Sequence, residues 1–381
     1  MRGNIAIRSV KTSADRKRFI ELPFRLYESD PNWRAPLKSE VRELIAGPKT
    51  NPWFEHARAR FWLAERGGEI VGRISAQIDD LVLQQMGAGT GQWGMFECID
   101  DQTVADSLLS TAEDWLREQG MTRALGPFSL SIWDEPGLLV GGFELPPTVM
   151  MGHHSPYYQR LVEARSYVGV KDLYTYELDI AGGFPEKVNR IVAAAEGSSR
   201  IRMRQVDKSK FDQEAALILD ILNDAWSDNW GFIPLTPHEV EHVGKKLKPI
   251  VYEDLIRICE LDGEPVAFMI TLPDLNELTA DLNGELLPFG WAKLLWRLRR
   301  PQVSRMRVPL MGVRKKVQGS RFASFMAFLM IEHIRRAAVT NYGATRGEIG
   351  WILDDNGPMT SIAEAIESDI TKTYRIYEKA L

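Results

Sequence analysis

The chain has 381 residues, more than one ordinary domain of about 150 residues, and its 44% hydrophobic, 26% charged composition excludes wholesale disorder. Two cysteines, Cys98 and Cys259, exclude a disulfide framework and a cysteine metal cluster and point to buried thiols of a reduced, intracellular protein. The net charge of −5 argues against nucleic acid as a partner, yet residues 286–331 hold ten Lys and Arg with no Asp or Glu, which leaves the other 335 residues at −15. A basic block in an acidic body implies an anionic partner for that block.

In chain order, the first eight residues lack the apolar stretch of a signal peptide, so the expectation is a protein that is not exported. The longest apolar run, residues 322–331, falls far short of the ~20 residues of a membrane span. Residues 61–75 predict two strands joined at Gly67-Gly68. Residues 103–119 predict an amphipathic helix capped by Asp101 and stopped by Gly120, followed by a strand over 124–132 and a turn at 134–137. Residues 181–185 are the most linker-like stretch.

Beyond it the same signals return. A hairpin over 256–270 turns at Asp262-Gly263, and Gly263-Glu264 lies 195 residues after Gly68-Glu69. A helix over 322–342 stops at Gly343, and Gly-Ala-Thr-Arg at 343–346 repeats Gly-Met-Thr-Arg at 120–123, an offset of 223. A strand over 348–353 and a turn at 354–357 follow. The expected organisation is two copies of one unit, residues 1–182 and 183–381, the second carrying about 28 extra residues near 276–305.

The order helix pair, hairpin, strand, helix, strand, helix, strand resembles the GNAT superfamily of acyl-CoA N-acyltransferases, duplicated as in tandem GNAT proteins. The fold this implies is α/β (α+β): two tandem GNAT-like units, each a mixed, mostly antiparallel sheet flanked by helices. In that superfamily a Gln/Arg-x-x-Gly-x-Gly/Ala loop and the next helix start hold the pyrophosphate of coenzyme A, since a helix N-terminus offers unpaired N–H donors and positive dipole.

Residues 308–322 occupy that place, with Lys316 for Gln/Arg, Gly319 as first glycine and Arg321 where Gly or Ala is usual. The resemblance implies an acyl-CoA co-substrate held by Arg314, Lys315, Lys316, Gln318, Gly319, Ser320 and Arg321, with no metal. It further implies an oxyanion N–H from the Met311 to Val313 strand and a pantetheine contact from Asn356. The same loop also fits a solvated basic segment. In the first copy residues 96–101 are acidic and lack glycine, so that copy is expected to shape the acceptor side and not to bind coenzyme A.

A narrower resemblance covers nearly the whole chain. It is carried by Asp-Pro-Asn-Trp at 30–33, Asn-Pro-Trp-Phe-Glu-His at 51–56, Asp134-Glu135, Pro146-Pro147 with Pro-Tyr-Tyr at 156–158, Asn-Trp-Gly-Phe at 229–232, residues 351–358, and residues 374–378. These are similar to the bacterial ceramide synthase group, which N-acylates a sphingoid long-chain base. The resemblance implies an enzyme, an acyl-CoA-dependent N-acyltransferase with a lipid amine substrate. A GNAT acting on a soluble amine and a non-catalytic acyl-CoA or lipid-binding protein stand as alternatives.

Within the insertion, Trp291, Leu294, Leu295 and Leu298 recur at i, i+3, i+4, i+7, and Lys293, Arg297 and Arg300 mark another face. That is a basic amphipathic helix, and it sets two expectations: an anionic membrane surface as partner, and a peripheral place on the cytoplasmic face of the inner membrane. An ordinary surface helix packed on its own domain fits the pattern as well.

N-acylation needs a group to take a proton from an ammonium of pKa roughly 10. The candidates are Glu97, Asp134, Glu135, His153 and His154, with Trp133, Tyr157, Tyr158, Asn229, Trp230 and Phe232 as candidate walls of the substrate site. Structural histidines, a plain turn at 134–137 and core packing at 229–232 are the competing readings. The tyrosine that many superfamily members use as thiolate acid is missing from 361–368, and Tyr374 and Tyr377 come later. The His238-Glu-x-x-His242 pattern is set aside as a zinc site, because Thr236-Pro237 places it in the first turn of a short helix.

Overall fold

The structure, a computed structural model, describes residues 4–381. Its contacts divide the chain into two units. The first takes the residues up to Leu173 together with Leu282–Leu286 and Lys372–Leu381; the second takes Tyr174–Asp281 and Leu287–Thr371.

The first unit contains β1 (Ile5–Ser9), α1 (Ser13–Leu26), α2 (Lys38–Leu44), β2 (Ala57–Arg66), β3 (Glu69–Asp79), α3 (Asp80–Met86), β4 (Thr90–Cys98), α4 (Gln102–Glu118), β5 (Arg123–Gly126), β6 (Leu138–Gly141), α5 (Tyr157–Glu163) and the first half of β7 (Val168–Asp179). The second contains the rest of β7, then α6 (Glu186–Glu196), β8 (Ile201–Gln205), α7 (Phe211–Trp226), α8 (Pro237–Leu247), β9 (Ile256–Leu261), β10 (Glu264–Pro273), α9 (Leu275–Thr279) and α10 (Gly290–Arg299). It continues through β11 (Arg305–Val313), α11 (Arg321–Tyr342), β12 (Arg346–Leu353) and α12 (Gly357–Ala365) to the start of β13 (Asp369–Ala380). The cut thus runs through β7, ahead of residues 181–185, and most of β13 belongs to the first unit.

In the first unit β1 to β4 pair antiparallel in order, β4 pairs parallel with β5, and the end of β13 pairs antiparallel with β5 and β6. In the second, β8 to β11 pair antiparallel in order, β11 pairs parallel with β12, and β7 lies beside β12. Each unit is therefore a mixed, mostly antiparallel sheet flanked by helices.

Both hairpins turn on two residues of positive φ, Gly67-Gly68 and Asp262-Gly263, whose twist matches that of the flanking strands. The stripe Val104, Leu108, Trp115 of α4 is buried in one cluster with Ile74 and Ala76 of β3. Met326, Leu329, Met330 and Ile334 of α11 are buried with Ala267 and Met269 of β10. Each such side chain contributes about 1.5–3 kcal/mol on burial.

The repeat holds through the helix caps Asp79 and Asp274, 195 residues apart, which accept from Leu81 N–H and Asn276 N–H. The parallel ladders open at Thr90↔Arg123 and Arg305↔Arg346, offsets of 215 and 223. The extra residues are accordingly split: 20 precede β11, including α10, and eight lengthen the loop and helix after it. Residues 314–320 connect β11 to α11, where residues 99–101 suffice between β4 and α4.

Candidate functional site

In the second unit β11 and β12 pair only from Arg305↔Arg346 to Val308↔Ile349. Within this ladder the buried Arg307 donates from Nη1 to Glu348 Oε1 (2.9 Å) and from Nη2 to Gly350 O (3.1 Å). Pro309 then has no N–H to extend the pairing, and the strands part. The gap opens into a pocket, open to solvent and of about 440 Å³ with that open space included, lined by Val308, Pro309 and Met311, residues 349–353, Trp226, Asn229, Asn356 and Met359. None of these side chains is titratable.

Backbone direction along β11 follows from one bond. Arg314 N–H donates to Val266 O (2.8 Å), so two-residue alternation turns Gly312 toward β10 and Met311 and Val313 toward the gap. Side chains serve their carbonyls there: Trp226 Nε1 donates to Met311 O (3.0 Å) and Gln318 Nε2 to Val313 O (2.7 Å). The N–H groups of Met311 and Val313 face the same side. Asn356 begins α12, its Oδ1 accepting from Met359 N–H (3.2 Å).

The helix starts of the two copies differ. In α4 the Asp101 carboxylate accepts from Thr103 and Val104 N–H (2.9 and 3.4 Å). In α11 the N-cap Ser320 makes no side-chain bond to the helix and donates instead to Val317 O (2.6 Å). The second copy therefore has a helix start without a side-chain cap where the first has an anion.

The loop cations expected to hold phosphates are tied to carboxylates: Arg314 to Asp220, Lys315 to Asp228 (2.5 Å) and Lys316 to Glu264. Arg321 lies against the Phe322 ring. Surface pairs of this kind contribute about 1 kcal/mol or less, so a phosphate can displace them, but the helix start is the stronger feature. Gly319, at φ +76°, provides the left-handed turn into it.

The first unit has a different pocket. Its parallel ladder stops at Gln92↔Leu125 and β5 ends before Pro127. Beyond that point a pocket of about 610 Å³, open to solvent, is lined by Arg73, Glu97, Glu135, His153, His154, Ser129 and Arg34, with apolar walls including Trp33, Met95, Phe96 and Met151. Four of the five candidate acid–base residues meet here. Asp134 does not: it accepts from Ser131 N–H (3.1 Å) and Oγ (2.8 Å) within its own turn.

Glu97 Oε2 accepts from both Tyr27 OH and Tyr158 OH (2.7 Å each). Burial pushes its carboxyl up to about 7, against the pull of the Arg73 charge and the two hydroxyls. His153 Nε2 lies 2.8 Å from Asp30 Oδ2, and its Nδ1 is buried without a partner. Desolvation opposes it, yet the bond from His153 and that from Asn32 N–H hold Asp30 below the usual carboxylate range. His154 Nδ1 accepts from Leu139 N–H (3.2 Å), and burial first, then His153 and Arg73, pushes its pKa down to about 3, so the ring is neutral. Glu135 stands at the open side, within 3.4 Å of Ser129 Oγ.

The candidate walls divide. Asn229 lines the second unit's pocket, and Phe232 packs edge-on to Trp226 behind it, 6.4 Å between centroids. Tyr157 OH donates to Cys98 O (2.7 Å) and Tyr158 OH accepts from Cys98 N–H (2.9 Å), so both brace the end of β4. Neither they nor Trp133 and Trp230 are among the pocket linings. Tyr27, Arg73 and Trp226 are site residues the patterns did not single out, and Asp30 and Trp351 were marked only as carriers of the resemblance, with no role. For Arg73 a signal existed, a lone charge inside the apolar run of β3. Glu239, between His238 and His242, closes the capping box of α8 by accepting from Thr236 N–H (2.8 Å).

Glu97 has a measurable consequence. Its folded pKa of about 7 lies above the ordinary 4.5, so the folded state holds the proton more tightly. Stability from this group is full below pH 4.5 and falls as pH rises toward 7, by about 3 kcal/mol. Glu97→Gln removes the loss. Denaturant unfolding at pH 4.5 and pH 8 is expected to show the variant gaining about 3 kcal/mol on the wild type between the two; parallel curves would refute the buried charge.

The insertion helix divides its expected face. Leu294 and Leu298 pack on the second unit's core, and Lys293 and Arg297 both bind Asp281, holding that carboxyl well below its usual range. Turned outward instead are Leu287, Phe289, Trp291, Leu295 and Trp296, between 48% and 78% exposed. Arg299 and Arg300 are exposed beside them. Among the described residues no helix is long and apolar enough to cross a membrane.

Along its length the chain is similar to the bacterial ceramide synthase of Caulobacter vibrioides (strain NA1000 / CB15N), with 48% identity over 379 residues that cover 99% of this chain and 98% of that protein. It is similar to protein YghO of Escherichia coli (strain K12), with 40% identity over 381 residues that cover 98% and 95%. Among solved structures it is similar in fold to a tandem GNAT protein from the clavulanic acid biosynthesis pathway: TM-score 0.59, 11% identity, 99% and 98% covered. No family model matches.

Proposed function

The chain belongs to the family of these two relatives and is an acyltransferase of tandem GNAT fold, and from that premise we propose that it transfers a fatty acyl group from acyl-CoA to the primary amine of a sphingoid long-chain base. The start of α11, which no side chain caps, beside the parted strands carries this reading. Its N–H donors meet the coenzyme's pyrophosphate, the pantetheine arm follows the gap toward Asn356, and the uncharged pocket receives the thioester. There the N–H of Met311 or Val313 takes the developing oxyanion. The amine nitrogen bonds to the carbonyl carbon, the C–S bond breaks, and free thiol leaves.

A lipid amine is supported by the apolar surface from Leu287 to Trp296, which suits the acyl boundary of a bilayer, with Arg299 and Arg300 toward anionic headgroups at about 1 kcal/mol each. The proposed place of action is the cytoplasmic face of the inner membrane. Purified protein given acyl-CoA and a sphingoid base on anionic vesicles is expected to release thiol and form the amide. No amide across acyl chain lengths and acyl carrier protein thioesters overturns the lipid reading, and turnover only with soluble amines replaces it.

Serine in place of Leu287, Phe289, Trp291 and Trp296 is expected to cut vesicle binding tenfold or more, with melting temperature unchanged because all four are exposed. Unaltered cosedimentation counts against the membrane face.

A further inference from the structure

We infer that Trp226 and Trp351 form the wall that ends the acyl-chain site of the second unit, and that this pair sets the length of acyl chain the protein accepts. The inference rests on the acyltransfer proposed above and specifies its donor. It concerns the second unit alone.

The two indoles come from opposite sides of the parted strands. Trp226 ends α7, and its Nε1 donates to Met311 O (3.0 Å), which hangs the ring on the edge of β11 that faces the gap. Trp351 lies on β12 two residues beyond Ile349, the last residue that pairs with β11. The ring centroids are 6.2 Å apart with planes inclined by 54°, within the contact range of aromatic pairs. Side chains therefore close at this point a gap that the backbones leave open.

Both rings are braced. A Cβ added at Gly312 would lie 2.8 Å from the Phe268 ring and 3.2 Å from Ala225 Cβ, so the end of α7 sits tight on β11 and fixes where Trp226 starts. Phe232 packs edge-on to Trp226. On the other side a Cβ at Gly350 would lie 2.8 Å from Thr175 Cγ2, so β12 is held close against β7 beside Trp351.

Met311 links the pair to the thioester. Its carbonyl holds Trp226, and its N–H faces the same side, where the developing oxyanion is proposed to sit. A thioester carbonyl at that N–H begins its acyl chain beside the Trp226 ring. Val308, Pro309, Ile352 and Met359 give the chain apolar walls. Each methylene against such a wall strengthens binding, and a methylene that meets the braced indoles has no further room.

The test uses the full-length protein and saturated acyl-CoAs from acetyl to stearoyl, without an amine, and reads each Kd relative to that of free coenzyme A. Losses of fold or of phosphate binding cancel in that ratio. Wild-type affinity is expected to rise by about fourfold per methylene and to stop rising at one chain length. In Trp226→Ala and Trp351→Ala the stopping point should move to chains longer by about two carbons or more, since removing an indole leaves a cavity. Trp226→Leu and Trp351→Leu carry the same expectation with a smaller step and guard against unfolding, which melting temperature reports. A stopping point unmoved in the folded variants, moved to shorter chains, or absent from the wild type overturns the wall. Amide formation with sphinganine, followed in parallel, judges the transfer reading separately. A shifted profile without amide leaves the wall standing and the transfer reading overturned; amide with an unshifted profile does the reverse. Failure of the wild type to bind any acyl-CoA overturns both.

Discussion

Replacing Ser320 by aspartate is expected to weaken acyl-CoA binding by about a hundredfold while leaving the fold intact. The first copy shows why: Asp101 occupies the start of α4, and its carboxylate takes the N–H groups that a phosphate would need. The Ser320 side chain places no acceptor on the equivalent groups of α11. A carboxylate there accepts from the helix and repels phosphate, so two charge-assisted hydrogen bonds of about 1.5 kcal/mol or more are lost, and ~3 kcal/mol is about a hundredfold in Kd. The helix gains about 1 kcal/mol from the new cap, so the melting temperature should hold or rise.

Ser320→Ala is the companion variant, and because the serine side chain makes no bond to the helix its affinity should stay near wild type. Titration with palmitoyl-CoA, followed by calorimetry at two salt concentrations, reads both. Equal affinity in Ser320→Asp would place the pyrophosphate away from α11.

The second large effect concerns stability. Arg307 and Glu348 face each other across the β11–β12 ladder, both almost wholly buried, just before the strands part. Glu348→Gln keeps the shape and removes the negative charge that faces the buried Arg307 guanidinium, at an expected cost of about 3–5 kcal/mol. For a unit of this size that is a fall in Tm of about 10 °C. The double variant Arg307→Met, Glu348→Leu removes both charges together and should cost less than the sum of the two single variants. The four-member cycle, measured by denaturant unfolding, isolates the pair. A single-variant cost under about 1 kcal/mol would show that solvent reaches the ladder.

How far the site can be read before folding differs by residue. Asp101, Gly319 and Asn356 act through neighbours within a few positions; capping position marked the first, and the GNAT resemblance marked the other two. Glu97 and the two histidines were marked by residue type, but type does not separate them. A backbone N–H from Leu139 makes His154 a neutral acceptor, and a carboxylate 123 residues away makes His153 a dyad. The cations of the 314–316 stretch looked free for phosphate because their partners, Asp220, Asp228 and Glu264, come from other elements. The insertion helix shows the same limit: periodicity located its faces, and packing of Leu294 and Leu298 decided which one is covered.

Short-range physics was thus settled by the amino-acid order: two hairpins on φ-positive pairs, capped helices with apolar stripes, two copies of one unit, and a basic block lacking carboxylates. These depend on dihedral preference, alternation and capping over a few residues, where little chain entropy is at stake. Tertiary structure alone decided that the last strand completes the first unit, that the strands part at Pro309, and that Asp30 meets His153. The pairing of the last strand and the meeting of Asp30 with His153 close loops of a hundred residues or more. The cost of closure varies only slowly with length, so spacing does not select among the many pairings that burial can offset.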